Sequence, residues 1–441
     1  MIYGERFASD QKVHMSRIHS WKRFCIFALL GLLLTWVVSC TPQISPSAKP
    51  EIEFWTMQLK PEFTDYFNKL IATFEAENKG IKVRWVDVPW TAMENKILTA
   101  VSAKTAPDVV NLNPGFASQL AARNAWLDLD AKVPPDVQKQ YLPKIWKDST
   151  LNNKSFGIPW YLTSRVTIYN KDLLKKAGVS KPPTTYAQLA QVAKQIKDKT
   201  GKYAIFTTVV PGDSGEVLES LVQMGVELVD ASGKAAFNTA SGKAAFQYWV
   251  DFYKQGLMPK EALTQGHRHA IELYQQGETA LLSSGAEFMD AIAKNAPTIA
   301  KVSAAAPQIT GETGKKNVAV MNLVIPRSTT KPDAALKFAL FVTNSANQLA
   351  FAKAANVLPS TVESLQNYRK ELAGGGKVSP VEQARDISAS QMQQAEVLVP
   401  TLKDSNKLQK AIYENLQAAM LGEKTVDQAV ADAAAEWNGR S

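Results

Sequence analysis

The chain holds few groupings whose residue types and spacing match known chemistry. Gly212-Asp213-Ser214-Gly215 approaches the turn that presents a nucleophilic serine. That turn needs Gly-x-Ser-x-Gly, and here the second glycine arrives one residue early, so a turn ahead of a helix accounts for the run. His267 and His269 are two apart, which separates them on a helix, and no cysteine is near. They read as surface histidines and not as metal ligands. Glu216 and Glu219 share one helical face and come nearest to the paired carboxylates of glycoside hydrolysis, although a solvated face explains them as well. Neither phosphate-binding glycine motif is present. The sequence therefore predicts no catalytic residue, no metal and no cofactor.

A second grouping is more informative: aromatic and amide residues at the ends of predicted strands, where α/β sheets place ligands. Trp55, followed by Met57 and Gln58, ends the first strand. Asn111 and Asn113 end the third, before Pro114-Gly115 turns the chain. Trp160 and Tyr161 follow Gly157-Ile158-Pro159, with Arg165 just beyond. Such a set suits a sugar, whose C–H face stacks on an aromatic ring while its hydroxyls pair with amides, carboxylates and guanidinium groups. Taken singly, Trp55 and Trp160 fit a core equally well, and Asn111 fits a turn; their shared position is the argument.

These residues need a scaffold, and the apolar pattern supplies one. Strands are predicted at Glu51 to Thr56, Ile81 to Val88 and Asp108 to Leu112, alternating with helices at Glu62 to Glu77 and from Thr91, where Thr91 and Glu94 form a capping box. The pattern resumes with a strand at Arg165 to Tyr169, a helix capped by Asn170 and a helix opened by Thr185 and Gln188. Further strands are expected at Tyr203 to Thr207, Thr279 to Ser283 and Val318 to Ile325, with helices at Gly215 to Met224 and Ser241 to Lys254. From Lys331 onward the chain reads as almost wholly helical. The order is α/β, in two lobes joined by more than one connection, which favours a hinge and a cleft.

Ahead of this body, the basic His19 to Arg23 precedes about 15 apolar residues, Phe24 to Val38, then Ser39 and Cys40. The layout is that of a secretory signal over residues 1–39, too short to span a membrane comfortably. Residues 40–50 read as a tether. Met15 offers an alternative start that would shorten the long leader. Composition agrees with a folded exported chain: 441 residues, 45% apolar, 21% charged and only two cysteines, Cys25 and Cys40, so no disulfide framework. The net charge of +9 is scattered, with no Lys/Arg run beyond pairs, which argues against a nucleic acid partner.

Several stretches resemble the extracellular solute-binding proteins of carbohydrate ABC importers, the family of maltose-binding protein. They are Glu51 to Thr56, Gly80 to Val83, Pro107 to Val110, Ile168 to Leu174 with Pro182 to Thr185, Gln276 to Leu281 with Gly285, Leu358-Pro359, and Gly422 to Ala429. Val37-Val38-Ser39-Cys40 resembles the bacterial lipobox, which implies acylation at Cys40. The resemblance implies a two-lobed type II binding-protein fold that closes on its ligand. The lobes would be 51–162 with 323–368 and 163–322 with 369–441, crossing near Thr163, Asn322 and Tyr368. It implies ligand contacts at Gln58, Asn111, Asn113, Trp160, Arg165, Asp213, Glu287 and Asn322, with Phe288 as the aromatic after Gly285. The implied function is that of a monomeric, non-enzymatic lipoprotein delivering a sugar or sugar derivative to membrane permease subunits. Two other readings stand beside it: a secreted hydrolase using two carboxylates, and a binder of a glycerol phosphate ester with Arg165 on the anion.

Overall fold

The computed structural model describes residues 51–439, except 122, 152–153, 375–378, 400–401 and 403. The proposed signal segment and Cys40 lie outside the described residues. Strands β1 (Glu51–Met57), β2 (Lys82–Val88) and β3 (Val109–Leu112) pair in parallel, linked by helices α1 (Thr64–Glu77) and α2 (Trp90–Ser102). Helix α3 (Pro114–Ala121) follows β3. A long strand, β4 (Ile158–Asn170), leads to α4 (Lys171–Lys176), α5 (Tyr186–Thr200), α6 (Glu216–Gln223), α7 (Ala240–Lys254) and α8 (His267–Gln275). After β5 (Leu281–Gly285), α9 (Phe288–Asn295) and β6 (Ser303–Pro307), the chain returns along β7 (Lys316–Val324). The rest is mainly helical, including α10 (Pro332–Val342), α11 (Ser345–Ala355), α12 (Val362–Gly374), α13 (Pro380–Ser390), α14 (Ser405–Leu421) and α15 (Val426–Asn438). The first sheet runs β4-β7-β3-β1-β2, with Leu358–Pro359 flanking β4.

Two separate hydrophobic cores form. One gathers Phe54, Phe67, Phe74, Trp160, Phe338 and Phe351, and the other Phe246, Trp249, Phe252, Tyr274 and Tyr413. Strand β4 belongs to both: its first half pairs with β7, from Ile158 opposite Leu323 to Ser164 opposite Val318. Its second half pairs with β5 and β6 on either side, from Arg165 opposite Gly285 to Asn170 opposite Ser303. The chain thus changes core between Leu162 and Val166, then between Ile309 and Val318, and again after Tyr368. Asn322 lies inside the first core, so the second passage falls earlier than the sequence suggested. After Tyr368 the chain does not stay with one core, since Ala384 joins the second while Ala389 and Ala395 join the first.

Buried amides stitch the three passages together. Gln391 Nε2 donates to the Arg165 carbonyl at 3.2 Å, and its Oε1 accepts from Gln308 N at 2.8 Å. Gln308 Oε1 accepts from Asn317 N at 2.8 Å, and Asn317 Oδ1 accepts from Leu398 N at 3.2 Å. Backbone groups left where sheets diverge would otherwise be buried unpaired, at a cost of about 1–3 kcal/mol each. Amide side chains satisfy them while leaving room for rotation.

Local expectations hold in part. Asn170 caps α4, accepting from the N–H groups of Asp172 and Leu173. Thr185 caps α5, but Gln188 reaches back to the N–H of Thr184, one residue earlier than in a regular box. No capping box forms at Thr91: α2 begins at Trp90 behind Pro89, and Glu94 Oε1 instead accepts from Asn406 Nδ2 at 3.2 Å. Tyr203 to Thr207 is not a strand; it makes one bridge, Tyr203 to Thr279, because its β-prone residues pack as an irregular segment of the second core.

Trp160 is wholly buried, its ring stacked on Phe351 at 4.9 Å and flanked by Phe54 and Phe67. It presents no face to a ligand, so the structure corrects that assignment: the even side of β4 faces the core. Trp160→Leu is expected to lower unfolding free energy by about 3 kcal/mol in urea titrations. A loss of ligand affinity at unchanged stability would contradict this placement.

Candidate functional site

Between the two cores lies a cavity of about 260 Å³. Asn113, Pro114 and Gly115 line it from the first core's side; Gly215, Leu218 and Glu219 of the α6 region and Ser405, Asn406 and Gln409 of α14 line it from the second. Ala319 and Val320 of β7 lie along it as well. Contacts join the two sides, Asn406 to Glu94 and Asn356 to Asp290.

The first side is built from strand ends. Gln58 follows β1 with a left-handed backbone, is exposed, and its Oε1 accepts from Trp90 N at 3.4 Å. Asn113 follows β3 and its Oδ1 accepts from Phe116 N at 2.7 Å, holding the first turn of α3. Trp90, after β2, is 43% exposed and lies 6.1 Å from the Phe116 ring. Sequence reasoning missed this pair. The signal was present, since Pro89-Trp90 closes the second strand as Gln58 and Asn113 close the first and third. Trp55 itself packs in the core, with its Nε1 on Glu53 at 2.6 Å. Asn111 and Asn322 are both fully buried: Asn111 Nδ2 donates to the Asn322 carbonyl at 3.4 Å, and Ser149 Oγ donates to Asn322 Oδ1 at 2.7 Å. They lie between β3 and β7 and reach no open surface, and Asn111 Oδ1 and Asn322 Nδ2 have no hydrogen-bond partner among the described residues.

The second side is charged. Arg165 donates from Nε to Glu219 at 2.9 Å, from Nη2 to Ser214 Oγ at 3.2 Å and from Nη1 to the Ser283 carbonyl at 3.4 Å. Burial works against its charge, but Glu219 and Glu216 raise its pKa above the ordinary value. Each guanidinium nitrogen makes one hydrogen bond, so Arg165 orients this wall. Glu216 and Glu219 do lie on one helical face, as expected, but that face is buried, each residue being 8% exposed. Burial pushes the Glu216 carboxyl up to about 7 against the pull of Arg165. The solvated-face reading is therefore corrected.

His267 is half-buried, where the sequence predicted an exposed residue. Its backbone N–H donates to Asp213 Oδ1 at 2.7 Å and its Nε2 lies 3.3 Å from Ser284 Oγ. Its Nδ1 sits 4.0 Å from Glu216 Oε2, and neither atom has a hydrogen-bond partner among the described residues. Burial, then Arg165, brings its pKa down to about 3, keeping the imidazole neutral. Asp213 is exposed, and Gly266 permits its approach, since a Cβ there would stand 2.2 Å from Asp213 Oδ2. Glu287 folds back over Gly285, and burial raises it to about 7. Phe288 is half-buried, its ring 6.4 Å from that of His267. Among the described residues no group of three or more His, Cys, Asp or Glu is placed to hold a metal ion.

Two cores sharing hinge strands, with a cavity between them, define a two-lobed type II binding protein. The model of the bacterial extracellular solute-binding proteins matches residues 60–349, and the chain belongs to that family, one of binding proteins and not of enzymes. A candidate oligosaccharide periplasmic-binding protein from Synechococcus sp. MITs9220, solved alone and in complex with zinc, is 45% identical with a TM-score of 0.84, over 88% of this chain and 98% of that one. Diacetylchitobiose binding protein DasA of Streptomyces coelicolor is 26% identical over 374 residues, 83% of this chain and 84% of the relative. Maltose-bound MalE3 of T. maritima shares the fold at 22% identity and a TM-score of 0.72, over 88% and 99% of the two chains. Among the described residues no helix is long and apolar enough to cross a membrane.

The buried carboxyl gives a pH signature. Folded Glu216 keeps its proton from pH 4.5 to about 7, where the unfolded chain has released it, so its contribution to stability falls as pH rises through that window. His267 acts in the opposite sense between about 3 and 6.5. Glu216→Gln removes the first effect alone. Its stability relative to wild type is expected to climb from pH 4.5 to 7.5 by on the order of 3 kcal/mol, read by urea unfolding at both pH values. A flat difference would refute the burial argument.

Proposed function

We propose that this protein is the lipid-anchored, sugar-capturing component of an ABC importer. Its leader ends at Ser39, Cys40 is acylated, and the monomer delivers its ligand to permease subunits outside the membrane. The observation that carries the reading is a cavity between the two cores lined by Asn113, Glu219, Asn406 and Gln409, with the exposed Trp90 ring beside half-buried Phe116 at the strand ends of the first core. A sugar has one apolar face for the aromatic rings and a hydroxyl rim for the polar groups. Names of relatives point the same way: one binds diacetylchitobiose, and another is a mannitol-binding protein of Pseudomonas aeruginosa, 22% identical over 383 residues, 83% of this chain and 87% of the relative. Gln58, Asn113, Trp90, Asp213, Glu287 and Phe288 are the proposed ligand contacts, with Arg165 as a positioning residue.

The lobes we propose follow the two cores, hinged at the passages stitched by Gln391, Gln308 and Asn317. Lipid attachment keeps the protein beside its permease and raises its effective concentration there. The phosphate-ester reading is disfavoured, because Arg165 is ion-paired to Glu219 and carboxylates surround it.

Calorimetry and product analysis with a panel of mono- and oligosaccharides test this: one ligand per chain, no cleavage after hours, and a smaller radius of gyration in scattering when bound. Turnover, or an unchanged radius, would refute it. Trp90→Ala is expected to weaken binding about tenfold, given about 0.5–1.5 kcal/mol for an aromatic contact beyond its area. Cys40→Ser is expected to move the protein from the membrane to the soluble fraction on cell fractionation; retention in the membrane would argue against acylation there.

A further inference from the structure

The wall formed by the second core is electrically unbalanced. Asp213, Glu216, Glu219 and Glu287 gather around a single guanidinium, Arg165, and a neutral His267. Glu219 takes the Arg165 charge through a direct ion pair, leaving three carboxyls without a cation. Glu216 is the most telling of them. It is more than nine-tenths buried, and its Oε2 lies without a partner opposite the unpartnered Nδ1 of His267. Two such atoms 4.0 Å apart can both bind one donor atom at an ordinary distance of roughly 2.8 Å from each, subtending about 90°. Once Glu216 is ionised, a group there donates to its carboxylate, and an imidazole with no proton on Nδ1 accepts from the same group. An ammonium group donates in both directions, whereas a hydroxyl has one hydrogen to give. An anion meets a wall rich in carboxylates, and three of the five Arg165 N–H groups are already engaged.

We propose that the Glu216–His267 gap is a subsite for a protonated amine, so that the cleft selects aminated sugars over neutral and anionic ones. The inference rests on the reading of the cleft as a sugar site. Gly215 and Glu219 line the cavity, and Glu216 lines a second, smaller pocket that shares Glu219 with it and includes Arg165. Glu287 and Asp213 add negative potential from β5–α9 and from the turn before α6, and the N-terminus of α8 is already held by Asp213. Burial keeps Glu216 protonated up to about pH 7, and an incoming ammonium would stabilise its ionised form and displace that proton.

The test is titration calorimetry of the purified protein with matched pairs differing at one position, amine against hydroxyl: glucosamine with glucose, galactosamine with galactose, mannosamine with mannose, and glucosamine dimers with cellobiose. At least one aminated member is expected to bind tenfold or more tightly than its hydroxyl partner. In Glu216→Gln that ratio is expected to fall toward one. Hydroxyl partners that bind as well or better would overturn the amine subsite while leaving a sugar site intact, as would a ratio that survives Glu216→Gln. Binding of no saccharide of either kind would overturn the sugar site too. Heat from zinc chloride alone, lost in both Glu216→Gln and His267→Ala, would assign the gap to a metal ion and also overturn the proposal. The wild-type comparison stands even if the variants fail to fold.

Discussion

Buried amide hydrogen bonds at the changeover between two cores hold this structure together. Gln391, Gln308 and Asn317 tie three separate passages of chain to one another, and each bond terminates on a backbone group that a diverging sheet would otherwise strand. The arrangement resolves a conflict. The passages must be short and buried to keep the cores in register, yet they must also bend. Side-chain amides satisfy the backbone without extending either sheet across the gap, so the cores stay distinct.

The same changeover decides where the charged wall stands. Arg165 is the first residue of β4 to pair with β5, and its backbone carbonyl is the acceptor for Gln391. Its side chain therefore emerges at the mouth of the second core, where Glu219 and Ser214 meet it. A buried ion pair of this kind adds little net stability, because desolvation offsets most of the attraction. What it does is fix orientation: α6 is pinned against β4, and Glu216 is carried beside His267. Opposite, the strand ends place Trp90, Gln58 and Asn113 with no charge at all. The cleft is thus amphipathic across its width, apolar and amide on one side, acidic on the other.

Some residues read correctly in the sequence because their role is local. Asn170 caps α4, and the amphipathic stripes of α1 and α5 show in the periodicity whatever else surrounds them. Others misread because their role depends on partners far away in the chain. Trp160 looked like a stacking residue because it follows a turn beside Tyr161, but both rings pack inward on Phe351, which lies far away in sequence. Asn111 and Asn322 looked like hydroxyl partners and instead lie buried between two strands. Glu216 and His267 looked solvated, since nothing near them in sequence shows that α14, Arg165 and Glu219 cover them.

By itself the sequence determined the alternation of strands and helices, the α/β class and membership of a binding-protein family. Those follow from apolar period, capping residues and short motifs, all of which act over a few neighbouring positions. Only the tertiary structure decided which aromatic rings face the cleft, which carboxyls lose their solvent and which amides join the crossings. Burial and electrostatics at those sites are set by atoms dozens to hundreds of residues apart, and a linear pattern carries no record of that distance.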